Sequence, residues 1–312
     1  MGKNKEEGSV WRNLDVRMLP VTDNTLVFGE EFMLIDNLGQ SQDEEVKSRF
    51  VALDYPFKIS FTCILFCAKG YMNMKLNLEE YRMQVGDVMV GLPGTIGETK
   101  EISDDCEVAI IAYAGQKAWG NEMDSSVLTM FQKYFLHKPL LHISDEEFAE
   151  AIDIYHHMRR KLQQTGFKFV SEALNGYMQV LASCGYQWIT NYFDSAEGHH
   201  PETRQQQQFA AFLDFVRENY AQQRDIAFYA DKMCLTPKYL SSIVYKASGR
   251  FAGEWIKDYV ILDAKAMLKS GQYTVQQVCD NLNFSNASFF GKYFKAAVGV
   301  SPGRYMSENT NK

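Results

Sequence analysis

Histidine is scarce in this sequence, six in 312 residues, and none lies between Leu26 and Ala114. The six are His137, His142, His156, His157, His199 and His200. The strand-like first part of the chain therefore lacks the imidazoles from which a barrel-borne metal centre is built, most plainly over Gly70-Tyr-Met-Asn-Met-Lys-Leu-Asn-Leu-Glu-Glu80. Neighbouring histidines on a helix or a linker do not converge on one ion, and no Ser/His/Asp or Cys/His constellation stands out. No catalytic residue, no metal and no cofactor is expected. The six cysteines, Cys63, Cys67, Cys106, Cys184, Cys234 and Cys279, include no CxxC spacing and sit mostly in apolar runs, which fits buried, reduced thiols rather than a disulfide framework. Long apolar runs are missing as well. Cys63-Ile-Leu-Phe-Cys-Ala68 is among the longest and is far too short to span a bilayer. The opening Met1-Gly-Lys-Asn-Lys-Glu-Glu7 has no signal-peptide core, and Glu6 stands where myristoylation requires Ser or Thr. A cytoplasmic location is expected.

Positive charge is also in deficit, with a net of −7 that on its face argues against a nucleic-acid partner. The average conceals an asymmetry. From Gln205 to Lys312 there are 13 Lys and Arg against 9 Asp and Glu, a net of +4, which leaves −11 on residues 1–204. An acidic module joined to a mildly basic one fits a sensor joined to a DNA reader.

The length favours more than one domain. Residues 1–20 are polar and read as a loosely ordered N-terminus. Residues 21–120 read as a β-domain. Segments such as Phe50-Val-Ala-Leu-Asp-Tyr55, Lys58 to Cys67 and Val108 to Tyr113 are rich in β-branched and aromatic residues, with Gly and Pro between them. Short strands with regular turn signals predict an antiparallel barrel or jelly roll. Residues 121–195 read as helical. Ser144-Asp-Glu-Glu147 is a capping box ahead of Phe148, Ile152, Tyr155, Met158 and Leu162, and a second helix runs from about Phe169 to Phe193. Its stripe of Leu174, Tyr177, Met178, Leu181 and Trp188 would pack on the barrel, pair with a second subunit, or do both. Residues 196–208 read as a linker, and residues 209–307 as an all-helical domain.

Within that last domain one unit is written twice. Ala227 to Gly249 and Val275 to Gly299 each carry a small residue on a first helix (Ala230, Cys279), a polar turn, and a second helix closed by Gly. The small residues are 49 apart and the glycines 50, so the second copy holds one extra turn residue. Two helix-turn-helix units of this kind place their second helices in the DNA major groove. Thr236 is an N-cap followed by Pro237 at the first helical position, and Ser285 and Asn286 can cap the second copy. Free amides at such N-termini bind phosphate oxygens. Leu240 and Phe290, like Val244 and Phe294, occupy equivalent core positions. Thr236, Lys238, Ser241, Ser242 and Tyr245 are then the DNA-facing residues of copy one. Ser285, Asn286, Ala287, Ser288, Gly291, Lys292 and Lys295 are those of copy two. A helix from about Ala252 to Ser270 would hold the two readers at a fixed separation.

These segments, with Ala252-Gly-Glu-Trp-Ile256, Leu262-Asp-Ala-Lys-Ala-Met-Leu268, Thr274-Val-Gln-Gln-Val-Cys279 and the closing Val300-Ser-Pro-Gly-Arg-Tyr305, resemble the AraC/XylS family of bacterial transcriptional regulators over about the last 100 residues. The resemblance implies an α+β protein of two domains. Its N-terminal antiparallel jelly roll would be cupin-like, with a helical dimerisation segment, and its C-terminal all-α domain would hold two helix-turn-helix units. It implies double-stranded DNA, a small-molecule effector, a second copy of the chain and RNA polymerase as partners. Two departures matter. Asn283 stands where the family's second turn has Gly, and Asn tolerates the left-handed backbone that a turn needs. Ser241 and Ser242 stand where a base-reading Arg is common, so readout leans on Lys238, Lys292 and DNA shape.

The barrel is rich in aromatics. Tyr55, Phe57, Phe61, Phe66, Tyr71 and Tyr113 are the candidate effector-binding residues, suited to an apolar or amphipathic molecule or to stacking on a sugar face. Alternation cannot say which face points inward, because Cys63 to Ala68 is apolar on both parities. The alternative is a DNA-binding regulator whose N-terminal domain binds a protein. A cupin-type enzyme is a further reading, opposed by the missing histidines.

Overall fold

A computed structural model describes residues 25–29, 31–39, 56–114, 131, 134–194 and 203–307. The expected loose N-terminus, Tyr55 of the effector set and the first part of the linker lie outside the described residues. Contacts divide the chain into two compact units, Met1–Asp54 with Ile59–His199, and Tyr55–Lys58 with His200–Lys312.

The first unit is built on antiparallel strands β1 (Leu26–Phe28), β2 (Phe32–Asp36), β4 (Thr62–Lys69), β5 (Tyr71–Leu76), β6 (Glu79–Gln84), β7 (Asp87–Gly91), β8 (Ile96–Ile102), β9 (Glu107–Tyr113) and β10 (Leu140–His142); the short β3 (Phe57–Lys58) clusters with the second unit. One sheet has the order β1-β2-β9-β4-β7-β10, and in the other β5 is flanked by β8 and β6. β5 alternates, with Met72, Met74 and Leu76 buried and Tyr71, Asn73 and Lys75 partly exposed, as expected of a strand with one covered face. β4 is apolar on both parities because both of its faces are covered. Ile64 and Phe66 join Phe32, Leu34, Val88, Val90, Ile111 and Tyr113 in one core with two helices, α1 (Asp145–Gln163) and α2 (Val170–Asp194). The opposite parity, Cys63, Leu65 and Cys67, is buried on the other side of the sheet.

α1 begins where its capping box predicts. Ser144 Oγ accepts from the Glu147 amide at 3.3 Å, and Glu147 Oε2 accepts from the Ser144 amide at 2.9 Å. A buried ionic cluster ties α1 to β2: Tyr155 donates to Asp36 Oδ2 at 2.7 Å, and the Arg159 guanidinium donates to the same oxygen. β10 is a departure from the helical reading of residues 121–195. Leu140–His142 pairs with Asp87–Met89, a long-range register that three residues of local pattern do not announce.

The second unit is helical: α3 (Arg204–Asn219), α4 (Ile226–Lys232), α5 (Pro237–Ser248), α6 (Ala252–Lys269), α7 (Val275–Asn281), α8 (Ala287–Val298) and α9 (Pro302–Ser307). The linker expected over 196–208 ends early, because α3 already runs from Arg204. Thr203 and Gln206 form a reciprocal capping box, and Gln and Arg are good helix formers without apolar periodicity. α6 is the hub, burying Ala252, Trp255, Ile256, Tyr259, Val260, Ala264 and Leu268. Inside this unit the Asp263 carboxylate is buried, accepting from Tyr220 at 2.6 Å and from Lys58 at 2.9 Å.

Candidate nucleic-acid interface

Two helix pairs, α4–α5 and α7–α8, repeat one local design. Each first helix ends in a turn whose fourth residue after the small residue has a left-handed backbone, Cys234 at φ 55° and Asn283 at φ 51°. Each turn is closed by the same hydrogen bond, from Leu235 N to Ala230 O at 2.8 Å and from Phe284 N to Cys279 O at 3.0 Å. The copies are in step at an offset of 49 up to this point. Ser285 is the extra residue, inserted before the cap, and the offset is 50 thereafter. Thr236 Oγ1 accepts from the Tyr239 amide at 3.3 Å, and Asn286 Oδ1 accepts from the Phe289 amide at 2.8 Å. Of the two possible caps in copy two, Asn286 is the one used. Gly249 and Gly299 end the second helices in the left-handed conformation at φ 69° and 90°, where a Cβ would be strained.

The second helices bury the same positions. Leu240 and Val244 in one, and Phe290 and Phe294 in the other, are completely inaccessible. The faces left outside are also alike. Lys238, Ser242 and Tyr245 are exposed on α5, and Ser288, Lys292 and Lys295 on α8, with Thr236, Ser285 and Asn286 exposed ahead of the helices. Lys238, Lys246, Lys292 and Lys295 have no acidic partner among the described residues, so four cations stand uncommitted on the two second helices. Ser241 is less available than its position implies, because its hydroxyl donates back to the Pro237 carbonyl at 2.8 Å. Tyr245 is stacked on Phe251 with ring centroids 4.9 Å apart. Ala287 and Gly291 are half-buried, and Gly291 opens onto empty space with nothing within 4 Å of a Cβ.

Sequence reasoning passed over three features. Tyr239 and Phe289 occupy the third position of their helices and are 50% and 55% exposed, so an aromatic ring stands beside each N-terminus. Their equivalence was readable from the 50-residue offset. Arg224 braces the second turn, donating to the Leu282 carbonyl and, at 3.1 Å, to the Asn283 carbonyl, with its guanidinium 3.9 Å from the centre of the Phe284 ring. Burial lowers its pKa from the usual arginine range. Nothing in the local sequence announces this contact, which spans about sixty residues of chain. Cys234 is exposed, contrary to the expectation of buried thiols, whereas burial pushes the Cys63 thiol up to about 12.

Among the candidate effector residues, Phe57 clusters with the second unit, and those of the first unit do not share one surface. Phe66 and Tyr113 belong to the core between sheet and helices, Phe66 meeting Phe148 edge-on at 6.4 Å and Tyr113 lying 4.8 Å from Phe32. Phe61 is fully buried. Tyr71 lies on the outer face, donating to Glu101 at 2.9 Å beneath the Arg82 guanidinium. Phe57 is half-buried in β3. In the stripe marked for dimerisation, Leu174, Met178, Leu181 and Trp188 are buried in the same core, and Tyr177 packs partly buried against it. The apolar residues that α2 leaves exposed are Val180, Tyr186 and Phe193. Among the described residues no group of His, Cys, Asp and Glu could hold a metal ion, and no helix is long and apolar enough to cross a membrane.

The paired helices define the class of the C-terminal unit, and residues 229–308 match a family described as a helix-turn-helix domain. That segment is a helix-turn-helix domain of the AraC type. The arabinose operon regulatory protein of Escherichia coli is 31% identical over 83 residues, covering 27% of this chain and 28% of that protein. Its Salmonella typhimurium counterpart is 31% identical over the same length, covering 30% of that protein. An uncharacterized HTH-type transcriptional regulator of Escherichia coli, YijO, is 26% identical over 106 residues, covering 34% of this chain and 38% of the other. This chain thus spans less than a third of the length of the arabinose regulators it matches. Among solved structures, ToxT of Vibrio cholerae aligns over 83% of this chain and 94% of its own at a TM-score of 0.41 and 15% identity.

Proposed function

We propose that the protein is a sequence-specific, DNA-binding transcriptional regulator that uses α5 and α8 as two major-groove readers on one side of the duplex. The observation that carries this reading is the likeness of the two helix pairs: a side-chain cap at the equivalent place, the same buried positions and uncommitted lysines outside on both. Thr236, Ser285, Asn286 and Ser288 meet phosphates at the helix N-termini, and Lys238, Ser241, Ser242, Tyr245, Ala287, Gly291, Lys292 and Lys295 line the grooves. The reading is of a cytoplasmic homodimer that engages RNA polymerase, with the first unit a cupin-like jelly roll that senses a small molecule. The dimer contact is assigned to the exposed apolar residues of α2, Val180, Tyr186 and Phe193, because the inward stripe is consumed by the core.

Selection of genomic fragments by the purified full chain tests the assignment, followed by titration of the winning fragment with Lys292→Ala. Enrichment of a shared motif and a weakening of about fivefold or more, the loss of one good contact, are expected. Recovery of random fragments, or undiminished binding by the variant, refutes it.

A further inference from the structure

Among the lysines and serines outside α5 and α8 stands one exposed aromatic ring near the start of each helix. Tyr239 and Phe289 hold the third position of their helices and are 50% and 55% exposed. One exposed ring is ordinary on a protein surface. The same exposure at the matching place in both copies, on faces that also carry Lys238 and Lys292, is a shared feature of the two readers. Neither ring belongs to the buried stripe, which is Leu240, Ile243 and Val244 in one helix and Phe290 and Phe294 in the other.

Phe289 is also held in place. Its amide donates to Asn286 Oδ1 at 2.8 Å, and its ring centre lies 6.0 Å from that of Phe284, at an interplanar angle of 53°. Phe284 is 7% exposed, and the Arg224 guanidinium lies 3.9 Å from its centre. A buried, braced ring therefore backs the exposed one, so Phe289 has less side-chain freedom to lose on binding. Copy one has Leu235 at the place of Phe284, so this aromatic backing belongs to copy two.

The phenyl ring has no hydrogen-bonding atom. Of the groups that base edges present in the major groove, the one apolar group is the 5-methyl of thymine. Lys292 is three residues further along α8, a spacing that puts the two Cβ atoms about 5–6 Å apart on the helix surface. A lysine donates to the O6 and N7 acceptors of guanine. Successive bases on a strand are about 3.4 Å apart, so the two side chains span about two base pairs.

We propose that Phe289 is a specificity-determining residue that packs on the 5-methyl group of a thymine, within about two base pairs of a guanine read by Lys292. The inference rests on the reading of α8 as a groove helix and goes beyond it by naming the base group recognised.

The test uses the full chain and the DNA fragment it selects. Each thymine of that fragment is replaced in turn by deoxyuridine, which removes the 5-methyl group and keeps the hydrogen-bonding edges. At one thymine beside a guanine the replacement is expected to raise Kd about fourfold, the loss of one buried methyl. Phe289→Ala is expected to bind the thymine and deoxyuridine forms equally, whereas Tyr239→Ala keeps the fourfold difference at that position. The readout is a ratio of two affinities of one protein, so a general loss of stability in a variant cancels from it. Indifference of the wild-type chain to deoxyuridine at every thymine overturns the assignment. So does a ratio undiminished in Phe289→Ala. Failure of the wild-type chain to select any shared motif strikes the groove-helix reading itself, and this inference with it.

Discussion

The uncommitted lysines make the salt dependence of DNA binding a quantitative test. Of the four, Lys238, Lys292 and Lys295 are the ones assigned to the grooves, exposed without acidic partners among the described residues. If each displaces one counterion from duplex DNA, the slope of log K against log salt is about −2.7 per protomer, at roughly −0.9 per phosphate. Raising salt from 50 to 200 mM then weakens one protomer's grip roughly fortyfold. Lys292→Ala removes one of the three, so its slope falls to about −1.8. The penalty of the substitution is therefore not a constant. It is expected to shrink by a factor of about 3.5 between those two salt concentrations. A mobility-shift or fluorescence-anisotropy titration at four salt concentrations, on the same operator fragment, measures both slopes. A variant slope equal to wild type would mean that Lys292 never meets the DNA. The groove assignment of α8 would fall with it, even if absolute affinity had dropped through some change in stability.

Three further outcomes follow from local geometry. Gly291→Ala places a methyl in open space on a helix interior, so α8 should be stabilised by about 0.5–1 kcal/mol, read as higher amide protection of residues 287–298; lower protection would show that the space is not free. Arg224→Ala strips the second turn of two carbonyl contacts and a ring contact, and should cost about 2 kcal/mol, visible as faster hydrogen exchange over 282–290 than over the matching 233–240. Asp36→Asn removes the buried carboxylate that the Tyr155 hydroxyl and the Arg159 guanidinium share and should cost about 3 kcal/mol in the protection of β2, whereas Asp36→Leu combined with Tyr155→Phe and Arg159→Met should recover most of it. A triple variant weaker than the single one would contradict the account of that cluster as a costly buried charge.

The design of the paired helices was largely legible because each part of it is local. Thr236-Pro237, Gly249 and Gly299 act on their own backbone within a few residues, and the offsets of 49 and 50 located the extra residue that proves to be Ser285. The Asn283 turn was readable for the same reason, since left-handed tolerance is a property of one residue. Cys234 takes the same conformation against its own preference, and only the packed turn around it accounts for that. The α2 stripe illustrates a different limit. Periodicity marked Leu174, Met178, Leu181 and Trp188 as one apolar face but was silent on what covers it, and the core of the chain's own first unit does.

By itself, the sequence determined the elements that follow from short-range rules: caps, left-handed closures, the alternation of β5, the charge difference between the halves and the repeat that points to DNA. The tertiary structure decided what depends on residues far apart in the chain. β10 became an edge strand through pairing with β7. Phe66 and Tyr113 turned toward the helices, and Arg224 reached the second turn. Periodicity fixes which side chains share a face. Only the assembled packing fixes what that face meets, because burial is settled by contacts that no local pattern encodes.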